Sequence, residues 1–506
     1  MKTYLGIELG STRIKAVAID EKSNIVSKGE YGWKSSYVDG IWTYSLDEAW
    51  QGLKTALKTV DTTEISAVGI SGMMHGFLAF DKDWKLLTPF RTWQNTTTEQ
   101  AAKILSYKFK FNIPQRWSIA HLYQAILNKE VYIDRVEHIT TLAGYIHFML
   151  TGKNVLGIGE ASGMFPIDSD TKTYSKNMVA IFNKLLSEQG INKNILDLLP
   201  KVKVAGEIAG RLVNADAIDN ILPENIPFAP PEGDMQTGMI ATNSVAIGTG
   251  NISAGTAFNL TIVTGSSLQK VYPEIDIITT PTGVPAVLIH TNNGTNDINA
   301  WFGILGEVAK LYCGHNDDIY QKLYELSLTG DPDCGGVVVY NYMAGEPIAH
   351  VYDGRPLVIR TPDANFTLAN FVKAQLYSPM ATMRMGIDLL SDENIKINKI
   401  MGHGGFFKTP VVGQQYMAAA CNAPICCNSS ASEGGPYGMA LLAAYTTVSE
   451  SISLNNYLEA IPANRIGVTI APAQADIDGF NSYMRNFKAG LEAERHTQGV
   501  QLCSKI

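Results

Sequence analysis

No long apolar run, no paired cysteine spacing and no surplus of basic residues occur in this sequence, and each lack excludes a class of function. No stretch approaches the roughly 20 apolar residues of a membrane-spanning helix. The N-terminus enters a strand-like pattern at once, without a charged leader and an apolar core, so no targeting segment is expected. The six cysteines (Cys313, Cys334, Cys421, Cys426, Cys427, Cys503) form no CxxC pair and stand at no zinc spacing to a histidine. Free thiols in a reducing cytoplasm are therefore expected, not a disulfide framework or a metal finger. A formal net charge of -8 argues against a large nucleic-acid surface, which needs clustered Lys and Arg. A small anion held by backbone amides stays possible. No strand leads into a GxGxxG turn, which speaks against a nicotinamide dehydrogenase.

What is present is an ordinary globular balance, 45% hydrophobic and 17% charged over 506 residues. Such a chain should fold throughout. It exceeds what a single core serves, so two large domains are expected. Apolar runs at Tyr4–Ile7 and Ile14–Ile19 flank a Gly-Ser-Thr turn, and a third strand near Ile25–Gly29 would complete a meander. Helical periodicity follows over Leu46–Val60 with a polar start at Ser45, then a buried strand over Ile65–Ser71. Interleaved strands and helices favour a mixed α/β layer sandwich over an all-parallel dinucleotide fold. A proline-rich segment from Leu222 to Glu232 breaks the pattern and places the domain boundary just after it, at 241/242. The second half begins with strands at Asn251–Ala254 and Phe258–Val263. A long helix is expected over Leu368–Leu390, then a strand at Lys399–Met401 leading into Gly402-His403-Gly404-Gly405.

Five motifs could carry chemistry. In Gly6-Ile7-Glu8-Leu9-Gly10-Ser11-Thr12-Arg13-Ile14-Lys15, a tight turn between strands can aim backbone N–H groups and hydroxyls at phosphate oxygens. Glu8 could stand beside Mg2+ through water. In Ser71-Gly72-Met73-Met74-His75-Gly76, polar groups at a strand's carboxyl end could read a small molecule, although a lone His is more often structural. In Glu232-Gly233-Asp234-Met235-Gln236, Asp234 could deprotonate an alcohol or serve only as a helix cap. Ser253-Ala254-Gly255-Thr256-Ala257 repeats the phosphate-turn logic. Gly402–Phe407 and Glu433-Gly434-Gly435-Pro436-Tyr437-Gly438 could admit a flat base where side chains are missing.

In this order the five elements resemble the FGGY carbohydrate kinases, and the likeness runs over most of the chain. Gly159-Glu160-Ala161-Ser162-Gly163-Met164 resembles the family's Ala-Ser-Gly segment, and Tyr342-Met343-Ala344-Gly345-Glu346-Pro347 its Leu-Ser-Gly-Glu-Arg stretch. Gln414–Ala418 and Gly438–Ala443 resemble its C-terminal signature. The resemblance implies an actin/hexokinase/Hsp70-like (ribonuclease H-like) α/β fold of two domains around a central cleft. It implies a sugar-binding domain over 1–241, a nucleotide-binding domain over 242–506 and a possible homodimer. The reaction it implies is phosphorylation of a ketose by ATP with Mg2+. Carried over position by position, Asp234 matches the catalytic base. Gly10, Ser11, Thr12 and Lys15 match the first ATP-phosphate motif, Gly255 and Thr256 the second, and Gly404 and Gly405 the adenosine glycines. Met74 and His75 match the Met-His-Gly segment that contacts the ketose in xylulokinases. Trp93, Asp234 and Met235 would border the sugar.

Several positions depart from the family pattern. Glu8 replaces the usual Asp, Met235 stands where xylulokinases commonly have Asn, and Trp93-Gln94-Asn95 replaces Trp-Asn-Asp. Asn296–Asn299 near Trp301 departs from a Gly-rich adenosine contact. Thr92-Trp93-Gln94 and Asp234-Met235-Gln236 also look like sedoheptulokinases, and ribulokinases belong to the same family. D-xylulose is the favoured substrate on these residues. The alternatives are ribulose, sedoheptulose, and a non-catalytic sugar or nucleotide sensor on the same fold.

Overall fold

A computed structural model describes residues 2–315, 317–409, 411–427 and 434–500. Cys503 and Glu433 lie outside the described residues. The chain resolves into two compact units, one of residues 1–247, 263–287 and 430–465, the other of residues 248–262, 288–429 and 466–506.

The first unit is built on strands β1 (Thr3–Leu9), β2 (Arg13–Asp20), β3 (Ile25–Gly32) and β4 (Ile65–Gly72). β1 pairs antiparallel with β2, and β2 with β3; β1 pairs parallel with β4. The first connection is the expected hairpin, which excludes a crossover start. Alternating Leu5, Ile7, Leu9 and Ile14, Ala16, Ala18 are wholly buried and pack in one core with helix α1 (Leu46–Lys58). The hydroxyl of Ser45 caps α1 by accepting from the Glu48 amide at 3.2 Å, and Asp47, Glu48 and Lys58 match the helix dipole. On the sheet, helix Gly434–Tyr445 approaches so closely that a methyl on Gly6 would strike the backbone of Pro436 and Ala440. A methyl on Gly438 would strike the Thr237 carbonyl. Gly438 thus serves close helix packing in this structure.

A second core in this unit gathers the helices Glu99–Phe109, Ser118–Leu127 and Lys176–Glu188 with the fully buried Trp117. β4 ends against the short strand β5 (Glu232–Gly233), with Glu232 opposite Ser71 and Gly233 opposite Gly72. From β5 the chain turns directly into helix α3 (Asp234–Ala241).

The second unit repeats the hairpin plan. β6 (Thr249–Ala254) pairs antiparallel with β7 (Phe258–Val263) and parallel with β8 (Lys399–His403). The order continues through Ile425–Cys427 to Val468–Ile470. The long helix Leu368–Leu389 has Thr367 as its cap and Pro379 inside it. No helix among the described residues is long and apolar enough to cross a membrane.

Candidate active site

The Gly10–Thr12 turn is closed by Gly10 N–H donating to the Arg13 carbonyl at 3.0 Å. Its three carbonyls all face inward. The Trp33 indole donates to Gly10 O at 2.7 Å, the Tyr44 hydroxyl to Ser11 O at 2.7 Å, and the Trp33 amide to Thr12 O at 3.2 Å. Trp33 and Tyr44 are buried with ring centroids 4.5 Å apart, whereas Ser11 and Thr12 are exposed. With its carbonyls taken up and Ser11 and Thr12 exposed, the turn has the polarity that a phosphate requires.

Glu8 and Lys15 are cross-strand partners, and Lys15 draws down the proton affinity of Glu8. Burial and the charge of Asp234 outweigh that effect and push Glu8 up to about 8. Gly435 has no space for a side chain, because a methyl there would overlap the Glu8 carboxyl. No cluster of three or more candidate metal ligands occurs among the described residues. Mg2+ binds through one or two carboxylates plus water and phosphate oxygens, so it needs no such cluster. A carboxylate whose proton affinity is raised by a neighbouring carboxylate suits a dication, and Glu8 fits the role of holding it through water.

Asp234 opens α3, half-buried, and its Oδ1 accepts the Met74 amide at 3.2 Å. Burial raises its carboxyl to about 6 against the opposing pull of the Met74, Met235 and its own backbone N–H groups. A carboxylate of this affinity is ionised at neutral pH yet basic enough to accept a proton. Met74 and His75 follow β4 after a single residue, Met73. His75 has φ 70° and Gly76 φ 90°, a left-handed pair whose non-glycine member is unusual and typical of functional turns. The His75 ring is buried, with Nδ1 3.3 Å from the Gly163 carbonyl, and it stacks on Trp117. Met235 is half-buried beside Asp234. Trp93 is 41% exposed on a loop whose Asn95 carboxamide accepts from the Trp42 amide and donates to its carbonyl.

Sequence reasoning left Glu160, Glu232 and Gln236 without a role, although it quoted all three. Glu232 is buried and accepts the amides of Gly159 (3.3 Å) and Glu160 (2.8 Å), tying helix α2 (Ile158–Ser162) to β5. Burial lifts its carboxyl to about 8 despite those bonds. The Gln236 amide donates to Gly159 O at 3.3 Å and Thr279 O at 3.1 Å. A Glu beside Gly-Asp, and a second Glu within the apolar Gly159–Met164 segment, were the available signal. Arg116, also passed over, forms an ion pair with Asp276, and its carbonyl accepts the Gly76 amide at 3.3 Å.

In the second unit the Gly255–Thr256 turn is braced from below. Gly294 N–H donates to Thr256 O at 2.8 Å and Thr295 N–H to Gly255 O at 3.0 Å. Glu346 Oε2 in turn accepts the amides of Asn292 and Asn293 at 3.0 and 3.3 Å. The segment Tyr342–Pro347 therefore supports the turn instead of forming a separate site. Gly404 has φ 106°, and a side chain there would strike the Ala254 carbonyl. The structure thus sets Gly404 beside the Gly255–Thr256 turn, and Gly255 and Gly405 both face open space. Asn296–Cys313 is a helix beginning just after this brace.

Comparison with known proteins agrees with this arrangement. The N-terminal domain model of the FGGY family of carbohydrate kinases matches residues 3–241, and the C-terminal domain model matches residues 250–447. The xylulose kinase of Haemophilus influenzae is 23% identical over 449 residues, covering 84% of this chain and 87% of that protein. Among solved structures, the xylulose kinase of Rhodospirillum rubrum superposes with a TM-score of 0.78 at 16% identity, over 98% of this chain and 99% of that one. Plasmodium falciparum glycerol kinase with ADP superposes with a TM-score of 0.79 at 18% identity, over 99% of each. Both share the two-domain mixed α/β fold of the actin/hexokinase type. The chain belongs to the FGGY family of carbohydrate kinases and is an ATP-dependent, xylulokinase-like carbohydrate kinase.

Proposed function

We propose that this kinase transfers the γ-phosphoryl group of ATP to D-xylulose, forming xylulose 5-phosphate in the cytoplasm, with Asp234 as general base. The observation that carries this reading is Asp234 itself, half-buried at the start of α3, held by the Met74 amide and raised to about 6. Asp234 accepts the proton of the sugar's terminal hydroxyl. As that oxygen forms a bond to the γ-phosphorus, the bond from phosphorus to the bridging oxygen breaks and ADP leaves with the electron pair. Residues 1–241 serve the sugar and residues 242–506 the nucleotide. Gly10, Ser11, Thr12, Lys15, Gly255, Thr256, Gly404 and Gly405 are the proposed contacts to ATP. Glu8 would hold Mg2+ through water, where the ion would supply neutralising charge for the phosphate oxygens. Met74, His75, Trp93 and Met235 border the ketose, and the Met-His-Gly sequence supports xylulose as its identity.

The test is coupled ADP release with MgATP against D-xylulose, L-xylulose, D- and L-ribulose, sedoheptulose and glycerol. A clear preference for D-xylulose is expected. Preference for ribulose or sedoheptulose would reassign the sugar while keeping the chemistry. Thermal stabilisation by sugar or ATP with no ADP release across the panel would instead make the protein a sensor, a reading motivated by Glu8 and Met235.

A further inference from the structure

Behind Asp234 lies a group of buried polar atoms that neither the family assignment nor the phosphoryl-transfer chemistry uses. Glu160 is wholly buried, and neither carboxyl oxygen has a hydrogen-bond partner at bonding distance among the described residues. Gln236 Oε1 and the Tyr174 hydroxyl are buried in the same condition. The Glu160 and Gln236 acceptors are neighbours. A methyl built on Gly233 would stand 2.6 Å from Glu160 Oε2 and 2.8 Å from Gln236 Oε1, so both acceptors crowd one point beside the residue that precedes Asp234. The Glu160 charge, if present, would raise the proton affinity of the Tyr174 phenol.

The donors and acceptors here balance in only one protonation state. An ionised Glu160 would be a buried anion facing Glu232 and Asp234, with the Thr141 hydroxyl alone beside it and a second acceptor, Gln236 Oε1, directed at the same point. Buried charges without partners are strongly disfavoured, and so are apposed acceptors. A protonated Glu160 removes both problems: the charge is gone, and its O–H donates to Gln236 Oε1. Burial, and then the neighbouring carboxylates, drive the group in that direction.

We propose that Glu160 is a positioning residue that works as a neutral acid, donating its proton to Gln236 Oε1 and so holding the first turn of α3, with Asp234, against α2. Gln236 is suited to the task because its amide nitrogen already bonds Gly159 O and Thr279 O. Its whole carboxamide is then saturated and cannot rotate. Neutrality matters equally, since the charged groups facing Asp234 already include Glu8, with Lys15 opposite it, and a further anion would oppose its ionisation.

This inference rests on Asp234 as the base, and its test separates the two. Difference infrared spectra of wild type and Glu160→Gln at neutral pH should show loss of a protonated-carboxyl C=O stretch; loss of carboxylate bands instead would overturn the proposal whether or not Asp234 is the base. In kinetics, Glu160→Gln, a neutral donor of the same shape, should keep kcat within about threefold and leave the acidic limb of its pH profile in place. Glu160→Leu, equally neutral but without a donor, should lower kcat by about tenfold with KM for ATP unchanged. A downward shift of the acidic limb in Glu160→Gln by about half a pH unit or more would mean that an anion had been removed, and would also refute it. Should Glu160→Leu fail to fold, the infrared result and the Glu160→Gln profile still decide.

Discussion

The Met74 amide and the Asp234 carboxylate, 160 residues apart in sequence, meet in a hydrogen bond of 3.2 Å at the end of β4. Because the donor is backbone, no substitution of Met74 other than proline removes it, and the bond orients Asp234 irrespective of which sugar the neighbouring side chains select.

Replacement of Asp234 is expected to separate activity from stability. Asp234→Asn should lower kcat by roughly two orders of magnitude or more, read by coupled ADP release. The same variant should be more stable above pH 7. A carboxyl whose folded-state value, about 6, exceeds its ordinary value stabilises the fold below its unfolded pKa and loses that contribution as pH rises through 6. Removing it should therefore gain about 1–2 kcal/mol in denaturant unfolding at pH 8. A variant both inactive and destabilised would point to a structural role.

The pH dependence of turnover follows from the same group. With saturating ketose, kcat should fall as pH drops through about 6, the value to which burial raises Asp234, because the base must be ionised to accept a proton. A profile flat down to pH 5 would contradict the assignment.

Gly404 offers a test confined to the second unit. Its φ of 106° is strained for any side chain, and a methyl would overlap the Ala254 carbonyl. Gly404→Ala should cost about 1–2 kcal/mol from the backbone alone and raise KM for ATP more than KM for the sugar. Equal rises in both would disconnect this glycine from the nucleotide.

The Arg116–Asp276 pair should behave as an ion pair removed from bulk water. Arg116→Leu leaves a buried carboxylate uncompensated and should destabilise by about 2–3 kcal/mol, while the double variant with Asp276→Leu should recover part of that loss. Urea unfolding of the two single variants and the double variant gives the coupling directly.

Much of this protein is determined by local sequence. Alternating and continuous apolar runs placed β1 to β4, and the Ser45 cap placed α1. The strands at Asn251–Ala254 and Phe258–Val263 and the long helix from Leu368 were equally legible, since side-chain periodicity and capping act within a few residues. The Gly-Ser-Thr and Gly-Thr turns could be read as phosphate-type turns for the same reason. What the turns rest on could not be read. Trp33 and Tyr44 pull the carbonyls of Gly10–Thr12 inward, and Glu346 braces Gly255–Thr256 through residues 292–295; these bonds join segments distant in sequence. Gly435 and Gly438 read locally as room for a base, but the structure shows them packing against Glu8 and Thr237. The proton affinity of Asp234 depends on its burial, and those of Glu8 and Glu160 on burial and on the other carboxyls around them; only the tertiary fold brings those surroundings together. Sequence determined where each reactive residue stands along its element; packing decided its charge.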